Sequence, residues 1–136
     1  MPFRVCYYHV IWTTKNRERL ITPEIELIIF AAITQKSTQI DSPVLAINGV
    51  ADHIHVVTSI STSLAVAEWV RNVKGISAHQ VNAMFPDLNC HFRWQQGYGV
   101  LTFGAKMLPL VIDYVAQQKA HHQQNTLEPY LEREED

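Results

Sequence analysis

An α+β domain, an antiparallel sheet with helices packed on it, is what this chain predicts, on three observations. Strand-like and helix-like stretches follow one another in the order βαββαβα, with no internal repeat. At 136 residues and 47% hydrophobic content, the chain is long enough for one packed core and too short for two ordinary ones. A polar turn somewhere between Asn48 and Asp52, carrying the hairpin signal Asn48-Gly49, joins two strand-like runs into an antiparallel pair.

The first strand spans residues 3 to 13, where β-branched and aromatic types dominate. After the basic connection Lys15-Asn16-Arg17-Glu18-Arg19, Thr22-Pro23-Glu24 marks a helix start: an N-cap hydroxyl, a proline at the first helical position and an acid in the first turn. Ile25, Ile28, Ile29, Ala32 and Ile33 give that helix its apolar stripe. Pro43 to Val50 reads as the second strand and His53 to Ile60 as the third. Ser61-Thr62-Ser63 is placed to cap a second helix through Ala65, Val66, Trp69, Val70 and Val73, which Gly75 is expected to interrupt before it resumes as far as Met84. From Cys90 to Phe103 the residues suit one or two strands around an irregular bend at Gly97 and Gly99. Pro109 opens the last helix, which carries Leu110, Val111, Tyr114, Val115 and Gln118 before turning polar at His121 to Asn125. This order fits a ferredoxin-like α+β sandwich in one domain over residues 1–126, followed by an acidic segment at 127–136.

Composition narrows the functional classes. The formal charge of −2 argues weakly against a nucleic-acid partner, yet Glu128, Glu132, Glu134, Glu135 and Asp136 all fall in the last ten residues. Without that segment the chain holds 10 bases and 8 acids, so its body is mildly basic. The two cysteines, Cys6 and Cys90, suggest no disulfide framework, and neither a signal peptide nor an apolar run long enough to span a membrane is evident. A cytoplasmic protein is expected. No glycine-rich phosphate-cradling loop is found.

The chemistry-bearing pattern is Asp52-His53-Ile54-His55-Val56-Val57. In a strand, alternate side chains share a face, so His53 and His55 point the same way while Ile54 points into the apolar layer. Two imidazoles so spaced can grip one divalent ion, most readily Zn²⁺, Mn²⁺, Co²⁺ or Ni²⁺. Tyr114 and Gln118, four apart in a helical pattern, share a helix face and would bring a hydroxyl nucleophile and an amide oxygen suited to Mg²⁺ or Mn²⁺ to the same ion. His121 and His122 could extend the ligand set, since His122 is four residues after Gln118, although histidines at a helix carboxyl end also interact well with the helix dipole, the reading favoured here. His9, His79 and His91 read as structural. Lys15, Arg17, Arg19, Arg71, Lys74 and Lys106 are candidate DNA-phosphate contacts or simply a solvated basic face.

Five segments, in order, resemble one family, the single-tyrosine HUH transposases of bacterial insertion sequences, the insertion-sequence-200-like group. Tyr8-His9-Val10-Ile11-Trp12-Thr13-Thr14-Lys15-Asn16-Arg17 is similar to its opening strand and basic turn, and Asp52 to Val57 to its metal-binding strand. Val73-Lys74-Gly75-Ile76-Ser77 resembles its Leu-Lys-Gly-x-Ser segment, and Trp94-Gln95-Gln96-Gly97-Tyr98-Gly99 its Trp-x-x-Gly-Tyr-Gly bend. Tyr114-Val115-Ala116-Gln117-Gln118, with His121-His122, resembles its Tyr-Ile-x-x-Gln-x-x-His-His helix. The resemblance implies that His53, His55 and Gln118 hold Mg²⁺ or Mn²⁺, and that Tyr114 joins the 5′ phosphate of nicked single-stranded DNA. It further implies a homodimer that binds hairpin DNA at transposon ends, with Tyr114 of one subunit working against the metal site of the other. The chain departs from the family in its low basic content, its acidic end and the lack of a Ser-rich stretch between Leu101 and Leu108. Two other readings compete: a domesticated hairpin-binding protein without cleavage, and a small zinc hydrolase, which would leave Tyr114 without a task.

Overall fold

Strand β1 (Tyr7–Thr13) alternates so that Val10 and Trp12 fall on one face and His9 on the other. A tight turn follows at Lys15–Arg17, and α1 (Pro23–Gln39) then begins where its cap predicts, with Thr22 Oγ1 accepting from the Ile25 N–H at 3.3 Å. The chain continues through β2 (Val44–Val50), β3 (His53–Thr58), α2 (Val66–Met84), β4 (Gly99–Phe103), α3 (Leu108–Ala116) and α4 (Gln118–Gln124). The structure, a computed structural model, describes residues 3–88 and 90–124, so the acidic segment 127–136 lies outside the described residues.

The four strands are all antiparallel, in the order β2-β3-β1-β4, which is the expected ferredoxin-like arrangement. β3 lies inside the sheet, and every one of its residues is buried because helices cover both faces. Helices α1 and α2 pack on the face that carries Val10, Trp12, Ile54 and Val56, where Ile25, Ile29, Ile33, Trp69, Val70 and Val73 complete the main core. Two polar side chains inside it are joined: Trp69 Nε1 donates to Ser37 Oγ at 2.8 Å, and Ser37 in turn donates to the Ser42 carbonyl. Helix α3 lies on the other face, its Val111, Tyr114 and Val115 packed with Val57. Among the described residues, no helix is long and apolar enough to cross a membrane.

The boundaries follow the sequence expectation in part. The turn falls at Ala51-Asp52, inside the expected span, so the hairpin signal Asn48-Gly49 lies within β2 as the expected strand to Val50 has it. A Cβ at Gly49 would collide with the His53 carbonyl and meet the Ile54 Cα at 2.9 Å, so this glycine serves a close approach of β2 to the histidine strand. Gly75 does not interrupt α2, whose packed face holds the helix through Met84. Ser61 and Ser63 bond each other in a turn ahead of α2, and the cap position falls to Ala65. The last helix is broken at Gln117 (φ −106°, ψ 23°). At that break Asn48 Nδ2 donates to the Ala116 carbonyl at 2.9 Å, tying the helix junction to β2.

Three of the five sequence segments interlock ahead of β4. Lys74 Nζ donates to the carbonyls of Gln95 (2.8 Å) and Gly97 (2.7 Å), while Trp94 Nε1 donates to Ser77 Oγ at 3.0 Å. Gln95 Oε1 accepts from the Asn16 N–H at 3.0 Å, and Thr14 pairs with Trp94. Gly97, at φ 97°, supplies the left-handed residue of the bend.

Candidate metal and nucleophile site

The face of β3 opposite the main core carries His53, His55 and Val57. Register places Ile11 opposite His55 and His9 opposite Val57, so His9 is the diagonal neighbour of His55, within reach of a long side chain. The two rings meet: His9 Nε2 and His55 Nδ1 are 2.8 Å apart, and both residues are fully buried. One nitrogen of that pair carries the shared proton, which fixes both rings and leaves Nε2 as the donor His55 has to offer a metal.

His53 is oriented from the other side. Its Nδ1 lies 2.7 Å from Asp52 Oδ1, and a carboxylate only accepts, so Nδ1 bears the hydrogen and Nε2 presents a lone pair. Arg17 Nε approaches the second Asp52 oxygen at 3.4 Å. Burial alone would raise the Asp52 pKa, but the hydrogen bond from His53 and the charges of Arg17 and Arg19 together hold it below the ordinary aspartate value. Asn16 and Arg17 both adopt left-handed backbone (φ 56° and 54°), an uncommon conformation that aims Arg17 back at Asp52.

From α4, His122 brings its Nε2 to 3.0 Å from His53 Nε2. Donor atoms of His53, His55 and His122 all lie within 4.8 Å of one another, a group that could hold a divalent metal ion. The donor set fits such an ion: β3 supplies two buried imidazoles, each with its Nδ1 engaged by a polar neighbour, the arrangement that orients metal-binding histidines. Gln118, the first residue of α4, is fully buried. Lys119 beside it donates to Asn48 Oδ1 at 2.7 Å and pairs with Glu26 at 2.9 Å, which anchors α4 to β2 and α1.

Tyr114 is brought to the same place. Its ring stacks on His121 at 4.3 Å and stands edge-on to His55 at 6.5 Å, and only 5% of the residue is exposed. The nucleophile candidate therefore lies beside the histidines of its own chain. Arg17, Arg19, Lys119, Asp52, His53 and His122 line a cleft of about 500 Å³, in which Arg17 and Lys119 pair with Asp52 and Glu26 and Arg19 is exposed.

The sequence-predicted residues divide accordingly. His53, His55, Tyr114 and Gln118 are gathered on one side of the sheet, with Arg17 and Arg19 at the cleft and Lys15 exposed on the adjoining turn. Lys106 is exposed ahead of α3, whereas Arg71 lines a separate hollow with Lys36 on the α1–α2 side. Lys74 is committed to backbone carbonyls. His122 faces β3, where the sequence reading favoured a dipole role. His9, Asp52 and Lys119 were missed as contributors; Asp52 stood next to His53 in the sequence, but His9 needed the strand register to be found.

Residues 3–118 match the family model described as "Transposase IS200 like". Over 115 residues the chain is 24% identical to the ISDra2 transposase TnpA of Deinococcus radiodurans, covering 82% of each. It is 26% identical over 117 residues to the transposase for insertion sequence element IS200 of Salmonella typhimurium, covering 83% of this chain and 76% of that one. Among solved structures, a protein of Deinococcus radiodurans assigned as a transposase superposes with a TM-score of 0.71 at 23% identity, covering 86% of this chain and 93% of the other. A REP-associated tyrosine transposase bound to a REP hairpin gives a TM-score of 0.65 at 14% identity, covering 86% and 68%. At these identities the two structures speak to the shared fold.

Proposed function

The chain belongs to the IS200-like transposases, and from that premise we propose that it nicks and rejoins single-stranded DNA in the cytoplasm through a covalent tyrosine intermediate. The observation that carries this reading is the placement of the Tyr114 ring against His55, beside a histidine group able to bind metal. The Tyr114 oxygen attacks a DNA phosphorus, the bond from phosphorus to the 3′ oxygen breaks, and the hydroxyl proton is finally accounted for on the released 3′ hydroxyl. The product is a 5′-phosphotyrosine, and its bond energy allows rejoining without ATP. His53, His55 and Gln118 would hold Mg²⁺ or Mn²⁺, which when bound supplies Lewis-acid stabilisation of charge at the phosphoryl oxygens. Arg17 and Arg19 at the cleft bind flanking phosphates, and burial of the histidine face excludes bulk water from the reacting group.

Tyr114→Phe should keep the fold and hairpin binding and abolish the covalent adduct, because it removes only the attacking oxygen. A denaturing gel with end-labelled hairpin DNA reads this directly. An undiminished adduct would move the nucleophile elsewhere, with exposed Tyr98 the next candidate. Hairpin binding without any adduct from the parent would favour the non-cleaving alternative.

A homodimer working on hairpin ends belongs to the same proposal. The solved relative bound to a REP hairpin supports the hairpin ligand. β4 is an edge strand, and the exposed apolar residues Val100, Leu101, Met107 and Leu110 lie on it and just after it, which supports pairing with a second copy. The position of Tyr114 beside its own His55 supports a site complete within one chain. Mixed dimers of His53→Ala and Tyr114→Phe subunits separate the two arrangements. Restored nicking means a site shared between subunits, and silence from a verified mixed dimer means one built within each.

A further inference from the structure

We propose that His122 is a direct metal ligand, so that the site presents three imidazoles and selects borderline ions such as Co²⁺, Zn²⁺ and Mn²⁺ over Mg²⁺. This rests on the reading of His53 and His55 as ligands and extends it to a residue on another element. The spacing supports it. Two nitrogens bound at right angles to an ion about 2.1 Å away are themselves about 3.0 Å apart, and His53 Nε2 lies 3.0 Å from His122 Nε2. A hydrogen bond between neutral imidazoles has the same length, so the distance alone does not separate the two. The third nitrogen adds to that support: strand alternation already brings His53 and His55 to one face, and His122 arrives from α4 with donors of all three residues within 4.8 Å of one another.

The fold has also fixed the element that carries His122. The break at Gln117, held by Asn48 on the Ala116 carbonyl, redirects the chain, and Lys119 pins the new helix to Glu26 and Asn48. His122 is thereby held over β3 by contacts that involve no histidine. Imidazole is a stronger partner for ions late in the first transition row than for Mg²⁺, so a third imidazole raises selectivity as well as affinity.

Titration of the metal-free protein with Co²⁺, followed by calorimetry and visible absorption, tests the assignment. His122→Ala should lose at least tenfold in Co²⁺ affinity while Mg²⁺ affinity moves less than twofold; His121→Ala should bind Co²⁺ like the parent. His53→Ala, which should lose Co²⁺ binding almost entirely, tests the underlying reading separately. If His53→Ala fails to bind and His122→Ala binds like the parent, only the His122 assignment falls. If both bind like the parent, the histidine site itself is wrong. The parent protein gives a check that needs no substitution: loaded with Co²⁺, it should show three contact-shifted histidine rings by NMR, and two would overturn the proposal.

Discussion

The two faces of the sheet are made by the same strands and bury very different things. Toward α1 and α2 the strands present Val10, Trp12, Ile54 and Val56, which meet isoleucines, valines and a tryptophan. Toward α3 and α4 they present His9, His53 and His55, with Val57 as the aliphatic contact to Val111, Tyr114 and Val115. Along β3 the two environments alternate residue by residue. Slipping that strand by one position would put imidazoles into the main core and isoleucine into the cleft, so its pairing with β1 and β2 is specified from both sides. Apolar burial on the first face stabilises the fold at about 25 cal/mol per Å². On the second face a buried imidazole costs free energy unless paired, which the His9–His55 and His53–Asp52 contacts offset. Apolar packing is therefore concentrated on one face and the candidate site on the other.

The strongest way to break that division is Ile54→Ala. Ile54 is fully buried between the two histidines but faces away from them. Its truncation should cost about 2–5 kcal/mol, a large share of the total for a domain of this size. Urea unfolding measures the loss, and Mn²⁺ affinity of the folded variant should stay within a few-fold of the parent. A large fall in metal affinity would show that the faces are mechanically coupled through β3.

A sharper cut removes one orienting contact without touching packing. Asp52→Asn keeps the shape of the side chain but gives up the carboxylate that holds His53 Nδ1–H. Loss of such a partner typically costs about 10–100-fold in metal affinity, and calorimetry with Mn²⁺ should find that fall. The same variant tests the charge. The folded-state pKa of Asp52 is depressed, so its contribution to stability is present above the ordinary aspartate value of 3.8 and is lost as pH falls through the depressed one. Parent and Asp52→Asn should thus differ at pH 6 and converge in strong acid; an offset that persists unchanged there would mean the carboxylate charge is not what matters.

How much of this the sequence showed follows from the range of the forces involved. Strand alternation and helix caps are local, so His53 and His55 on one face, the start of α1 at Thr22-Pro23 and the strand-helix order were all legible. The partner of His55 was not, because His9 reaches it only through the register of β1 against β3, a pairing between residues 46 apart in the chain. The exact turning point was open for a related reason: Asn-Gly is a strong local turn signal, but the close approach of β2 to His53 and Ile54 is a tertiary demand that uses Gly49 inside the strand. The break at Gln117 depends on Asn48, 68 residues before the carbonyl it holds, and helical periodicity alone carried the expected helix straight through it.

The smallest expected effect lies at the seam between the two faces, where a cation on α2 reaches the bend that leads into β4. By composition Lys74 is a candidate phosphate contact; by contact it is a bridge, with its ammonium on the carbonyls of Gln95 and Gly97. Burial lowers its pKa, a cost that a freely solvated phosphate-binding lysine would not bear. Lys74→Met keeps the aliphatic stem and leaves both carbonyls without that donor, for a loss of about 1–2 kcal/mol. Binding to hairpin DNA discriminates between the two roles through its salt dependence. Each phosphate contact to a single strand contributes about 0.7 to the slope of log affinity against log salt, so removal of a true contact flattens the slope by that amount. Lys74→Met should lower the unfolding midpoint and leave the slope unchanged, while Arg19→Ala, exposed at the cleft, should flatten the slope and leave the midpoint alone. If Lys74→Met flattens the slope, the seam binds DNA directly, and the division of labour between the faces does not extend to it.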